Sequence, residues 1–141
     1  MSIWFQNINC EMLNERGIGT MADFLQIKFI KVGEDFLEAE MPYSDRVKQP
    51  IGIVHGGANV VLAETVASTA ANAVLDLTKN YAVGLEINAN HVRSVSSGLI
   101  KAYTKPIHIG RTTQIWHVEL TDEKGKLTCI SRMTAAVLTR G

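Results

Sequence analysis

Cysteine, proline and aromatic residues are scarce in this chain, and charge of neither sign prevails. Two cysteines, Cys10 and Cys129, form no CxxC pair and no disulfide framework, which excludes a stapled secreted scaffold and favours a reduced, cytoplasmic setting. Three prolines and the absence of any Pro/Gly/Ser-rich stretch leave no linker at which the chain would divide. Fourteen Lys+Arg balance 14 Asp+Glu, so the basic footprint of a nucleic-acid groove or a polybasic membrane contact is missing. No apolar run approaches the ~20 residues needed to span a bilayer. The start, MSIWFQNINCEML, lacks the basic region, apolar core and small-residue cleavage site of an export signal, so export is not expected.

What is present is an ordinary core-forming composition. With 46% hydrophobic against 20% charged residues over 141 positions, one domain spanning residues 1–141 can bury a core without staples. A short helix is expected from Ile8 to Arg16, stopped at Gly17, and a second turn from Met21 to Leu25 after Thr20. Ile27 to Met41, with a turn at Gly33–Asp35, reads as a hairpin with one wet face. Pro42 and Pro50 bracket a polar loop. From Gly56 to Leu77 the apolar period lengthens to three and four residues, predicting an Ala-rich helix buried on nearly every side. After Asn80 the pattern is β: Tyr81–Ala89, Gly98–Thr104, Gln114–Thr121 and Leu127–Leu138, with a hairpin turn at Asp122–Gly125. The fold class is α+β, one long helix against one antiparallel sheet.

Within that helix Glu64 is the single charged side chain between Gln49 and Leu75. A carboxylate in apolar surroundings is costly unless paired, so it is either a salt-bridged structural group or a base. Just upstream, QPIGIVHGGAN places His55-Gly56-Gly57 at the helix start, where free N–H groups and the positive end of the dipole favour an anion or oxyanion. Gln49 adds an amide donor, and Ser68 lies one turn beyond Glu64 on the same face. His55, His91, His108 and His117 have no ligand spacing, so no metal site is expected, and no GxSxG nucleophile elbow or phosphate loop occurs. Arg93, Lys105 and Arg111 could converge at neighbouring strand ends, either as a phosphate site or as solvated charge.

The runs QPIGIVHGGANVVLAETVAS, VGLEINANHVRS, KPIHIGRTTQIWHVEL and CISRMT resemble the hotdog-fold acyl-CoA thioesterases of the PaaI-like branch, from about Trp4 to Leu138. The resemblance implies a central helix wrapped by a five- to six-stranded antiparallel sheet. It also implies a homodimer as the minimal active unit, commonly paired into a tetramer, with each site shared between protomers. Glu64 of one protomer, as general base or nucleophile, would face Gln49, His55 and Gly56 of the other, with Ser68 near the water or acyl group. Gly84, His91, Val92, Arg93, Ser94 and the segment His108, Ile109, Gly110, Arg111, Thr112, Thr113 would hold CoA, which is part of the substrate; no separate cofactor is implied. Ile51 departs from the Phe that near relatives carry after the proline. Two other chemistries of this fold stay open here: an acyl-CoA or acyl-carrier-protein dehydratase or hydratase using His55 with Glu64, and a non-catalytic acyl-CoA binder.

Overall fold

The computed structural model describes all 141 residues, Met1–Gly141. Three helices, α1 (Cys10–Arg16), α2 (Met21–Phe24) and α3 (Gly56–Ala73), accompany six strands: β1 (Lys28–Val32), β2 (Leu37–Pro42), β3 (Asn80–His91), β4 (Leu99–Ile109), β5 (Thr113–Thr121) and β6 (Leu127–Thr139). The strands form one antiparallel sheet in the order β1-β2-β4-β5-β6-β3. The α+β class and the hotdog architecture expected from the sequence are what is found. The strands after α3 run further than the alternation suggested, most of all β4, which continues through Pro106 to Ile109 by way of a register shift between Pro106 and His108.

The core lies between α3 and one face of the sheet. Leu37, Ala39 and Met41 of β2, Ile100 and Ala102 of β4, and Trp116, Val118 and Leu120 of β5 are all fully buried at period two. Against them α3 presents Leu62, Ala63, Val66, Ala67, Ala70 and Ala71, small residues that let helix and sheet approach closely. Gln114, also fully buried, donates from Nε2 to the Ala71 carbonyl at 3.2 Å and accepts the Trp116 indole N–H at 2.8 Å, so its polar atoms are used inside the core. The Cys129 thiol is buried, and burial holds its pKa above the usual thiol range.

The helix differs from expectation in two respects. It ends at Ala73, four residues short of Leu77, because the Asp76 side chain accepts from the Thr78 N–H and hydroxyl and closes a turn there. It is also buried on one side only. Glu64, Thr65, Ser68, Thr69 and Asn72 form a half-buried face that the sheet leaves open, although β3 reaches its margin. Asn72 makes that junction: its Oδ1 accepts the Ala82 N–H at 2.9 Å, and its Nδ2 donates to the carbonyls of Ala82 and Ser68, both at 3.0 Å. Replacing Asn72 by Leu strands the Ala82 backbone groups, and we expect about 2–3 kcal/mol of lost stability in a denaturant titration. An unchanged midpoint would mean that β3 is held onto α3 by packing alone.

β3 is an edge strand of 12 residues carrying neither Lys nor Pro, the usual guards of an exposed edge. Its register with β6 shifts between Gly84 and Glu86, which sets Leu85 in a bulge, 66% exposed. No helix of the protein is long and apolar enough to cross a membrane.

Candidate active site

The start of α3 is anchored on both sides. The His55 N–H donates to the Val47 carbonyl at 2.7 Å, and the Val54 N–H to the Val95 carbonyl at 2.8 Å, which fastens the loop before the helix to the segment after β3. Gly52, with φ +88°, makes the intervening turn, and the Tyr43 hydroxyl donates to its carbonyl at 2.6 Å. His55 is the N-cap: its extended backbone leads into the helix, and its Nδ1 accepts the Gly57 N–H at 2.8 Å. The Ala58 and Asn59 N–H groups both go to the His55 carbonyl. That leaves the Gly56 N–H as the first-turn donor without a partner in the protomer.

The Gly56 amide borders a cleft of roughly 370 Å³ whose walls include Gln49, Asn59 and the segment from His91 to Val95. Gln49 accepts the Ile51 N–H through Oε1, which leaves its Nε2 available as a donor. Glycine at position 56 lets the His91 ring pack onto the helix start, since a Cβ there would stand 2.9 Å from His91 Nε2 and the ring would have to move. Asn59, 5% exposed, reaches the other side of the same ring, its Nδ2 lying 3.2 Å from His91 Nδ1. Gln49, His55, Gly56 and His91 to Ser94 are residues that the sequence singles out; Asn59 is not among them. Its one local mark is that it is the first amide side chain in an otherwise apolar run, one turn after His55; its contact with His91 has no local signal.

Glu64 is elsewhere. Eight residues beyond Gly56, it stands about 12 Å further along the helix axis. It is half-buried rather than enclosed, and no hydrogen bond or ion pair engages its carboxylate within the protomer. The salt-bridged alternative for this residue is therefore not what the protomer contains. Its Oε2 lies directly against Gly84 of β3, so closely that any side chain there would collide with it. Ser68 and Thr65, beside Glu64 on α3, open into a second cleft of roughly 500 Å³ that Leu13, Phe29 and Leu77 also line.

The basic residues do not meet as the sequence suggested they could. Lys105 lies mid-strand opposite His117 and pairs with Asp35 at 3.2 Å. Arg93 follows β3 at one end of the sheet, whereas Arg111 is in the exposed turn of residues 110–112 at the other. The span can be read from β6, where His91 sits opposite Cys129 and Thr113 opposite Ala136. Seven residues of strand separate those positions, about 23 Å. Within one protomer the segments His91–Ser94 and His108–Thr113 therefore cannot share one small contact. No group of three or more His, Cys, Asp or Glu side chains is placed to hold a metal ion.

An antiparallel sheet with one long helix on it is the hotdog fold, and residues 51–129 match the thioesterase superfamily, to which this chain belongs as a thioester hydrolase. The chain is 49% identical over 136 residues to the 1,4-dihydroxy-2-naphthoyl-CoA hydrolase of Escherichia coli, covering 96% of this chain and 99% of that one. It is 40% identical over 136 residues to the proofreading thioesterase EntH of Cronobacter sakazakii, covering 96% of this chain and 98% of that protein. Among solved structures, a mutant of thioesterase PA1618 from Pseudomonas aeruginosa superposes with a TM-score of 0.97 at 42% identity, covering 99% of this chain and 100% of that one.

Proposed function

We propose that the protein hydrolyses a hydroxyaryl-CoA thioester, 1,4-dihydroxy-2-naphthoyl-CoA foremost, to the free acid and CoA, in sites that each draw on two protomers. The observation that carries this reading is the separation of Glu64 from the helix-start donors, combined with its place beside the open β3 edge of the sheet. A carboxylate and an oxyanion donor about 12 Å apart on one helix cannot act on one carbonyl. Antiparallel pairing of β3 with its own copy removes the separation. A two-fold axis passing between Ile87 and Asn88 would set Gly84, and with it Glu64, opposite His91 of the partner subunit. The bulged, exposed Leu85 lies in that edge. Two such dimers would form the tetramer.

In the composite site the thioester carbonyl would lie at the Gly56 N–H, where the end of the helix stabilises the developing oxyanion. Gln49 Nε2 is free to orient the thioester, and His55 holds the helix start in place through its cap. Glu64 would activate water or attack the carbonyl carbon itself, with the CoA thiolate as leaving group. Neither route needs a cofactor. The acyl group would enter the cleft beside Glu64, where apolar Leu13, Phe29 and Leu77 can cover a ring and the unengaged hydroxyls of Thr65 and Ser68 can reach its hydroxyl groups. The same two-fold would carry the partner's strand end, residues 91–94, to the sheet end that bears the His108–Thr113 turn. Gly84, Arg93 and Arg111 would then flank one CoA, the arginines serving its phosphates.

The test is thiol release across aryl-, short- and long-chain acyl-CoAs, together with subunit mixing. Hydroxyaryl-CoAs are expected among the best substrates. Hydration of an enoyl-CoA without thiol release would instead establish the dehydratase chemistry. Glu64→Gln and Gln49→Ala protomers, each inactive alone, are expected to regain activity when co-assembled, because one site of the hybrid dimer is then intact. Hybrids as inactive as their parents would place each site within a single protomer.

A further inference from the structure

Asn59 has a chemistry of its own beside the Gly56 amide. It is the first polar side chain buried along α3, and its two amide atoms are treated differently. Nδ2 lies 3.2 Å from His91 Nδ1, whereas Oδ1 is buried in the cleft wall with no partner. An amide nitrogen can only donate, so the ring nitrogen facing it must offer a lone pair. A neutral imidazole has a single N–H, which is thereby assigned to Nε2. The face of the ring in turn packs on the start of the helix, where a Gly56 Cβ would stand 2.9 Å from Nε2 and 3.3 Å from both Cδ2 and Cε1. The unpartnered Gly56 N–H opens onto the same cleft. Two N–H donors therefore border one space. The orphaned Asn59 Oδ1 in its wall is an acceptor that only a donor from outside the protomer can satisfy.

We propose that Asn59 is a positioning residue: by donating from Nδ2 to His91 Nδ1 it holds that ring as the Nε2–H tautomer, so that His91 joins the Gly56 N–H in receiving the thioester oxygen as it becomes an oxyanion. The proposal rests on the helix start being the oxyanion site, and it explains why a histidine is packed onto a glycine there. Donors stabilise a developing charge when their orientation is fixed before the reaction. A ring held on one edge by a buried amide, packed by its face on the helix start and lining the cleft meets that requirement. His91 touches the substrate, whereas Asn59 acts through it.

Asn59→Asp separates this role from a structural one. Two oxygens in place of the amide accept only, so the neutral ring is driven to the Nδ1–H form, and Nε2 keeps a proton only when the ring is charged. Nitrogen NMR of ring-labelled histidine is expected to place the neutral wild-type proton on Nε2 and the Asn59→Asp proton on Nδ1. In the same variant kcat for an aryl-CoA is expected to fall about 10²-fold at alkaline pH, while KM moves little. Asn59→Ala added to His91→Ala should cost nothing further in kcat, because the two act as one unit. Several results overturn the proposal: a wild-type proton on Nδ1, an Asn59→Asp kcat within a few-fold of the wild type, or fully additive losses in the double variant. A fall in melting temperature with tautomer and kcat unchanged would make Asn59 purely structural and overturn it as well. The tautomer is read without turnover. If the wild type released no thiol from any acyl-CoA, the thioesterase reading would fail while the NMR result still decided the role of Asn59.

Discussion

Glu64→Gln is expected to give a protein that folds and assembles as the wild type does yet releases thiol about 10²–10⁴-fold more slowly. Glutamine keeps the volume and most of the hydrogen-bonding capacity of the side chain. It removes the one property that the proposed reaction needs, an oxygen that can take a proton from water or form an acyl anhydride. Stability should be nearly untouched, because no ion pair or hydrogen bond engages the carboxylate within the protomer. The decisive measurement is kcat/KM for an aryl-CoA alongside a thermal melt of the same preparation. Turnover within a few-fold of wild type would remove Glu64 from the chemistry. After single turnover in heavy-oxygen water, label recovered in the Glu64 carboxyl requires an anhydride opened at the enzyme carbonyl, whereas label in the product alone is given both by general-base attack and by an anhydride opened at the acyl carbonyl.

How much of this was readable in the sequence varies from residue to residue, for physical reasons. The isolation of Glu64 was legible, because a lone charge in an Ala-rich helix is a one-dimensional fact. The helix start at His55-Gly56-Gly57 was legible through the chemistry of caps and dipoles, and the structure adds that the Gly56 N–H alone is free in that turn. The helix end was misread, since the side-chain turn at Asp76 interrupts a run whose apolar period continues to Leu77. Burial of the helix was overestimated because composition does not say which side of an apolar cylinder meets the sheet. Convergence of Arg93, Lys105 and Arg111 failed for a topological reason: β3 lies at the sheet edge beyond β6, so its C-terminal end and the β4–β5 turn fall at opposite ends. Asn59 and the approach of Gly84 to Glu64 depend on contacts across 32 and 20 positions of sequence, and no local pattern encodes them. The resemblance implies Gly84 as a CoA contact; in the protomer its missing side chain also leaves room for the Glu64 carboxylate.

That role leads to the second large effect, Gly84→Ala, in which stability and activity should part company. The backbone at Gly84 is not in the left-handed region, so alanine can adopt it without strain. Removing a glycine from the unfolded ensemble then favours the fold by about 0.4–1 kcal/mol. The added methyl would collide with Glu64 Oε2, but that atom is the free end of a flexible side chain, so the collision is relieved by the carboxylate swinging away and not by the backbone moving. Displacement of a reacting group by about 1 Å costs on the order of 10²-fold in rate. Gly84→Ala should therefore melt at or above the wild-type temperature while kcat/KM falls about 10²-fold. The bulge after Gly84 belongs to the same device, since it bends the edge strand where the carboxylate must fit. Combined with Glu64→Gln, the alanine should cost little more, because the group it displaces is already inert. A fully active Gly84→Ala enzyme would show that the carboxylate does not work from this position. A destabilised one would show that the glycine serves the strand rather than the site.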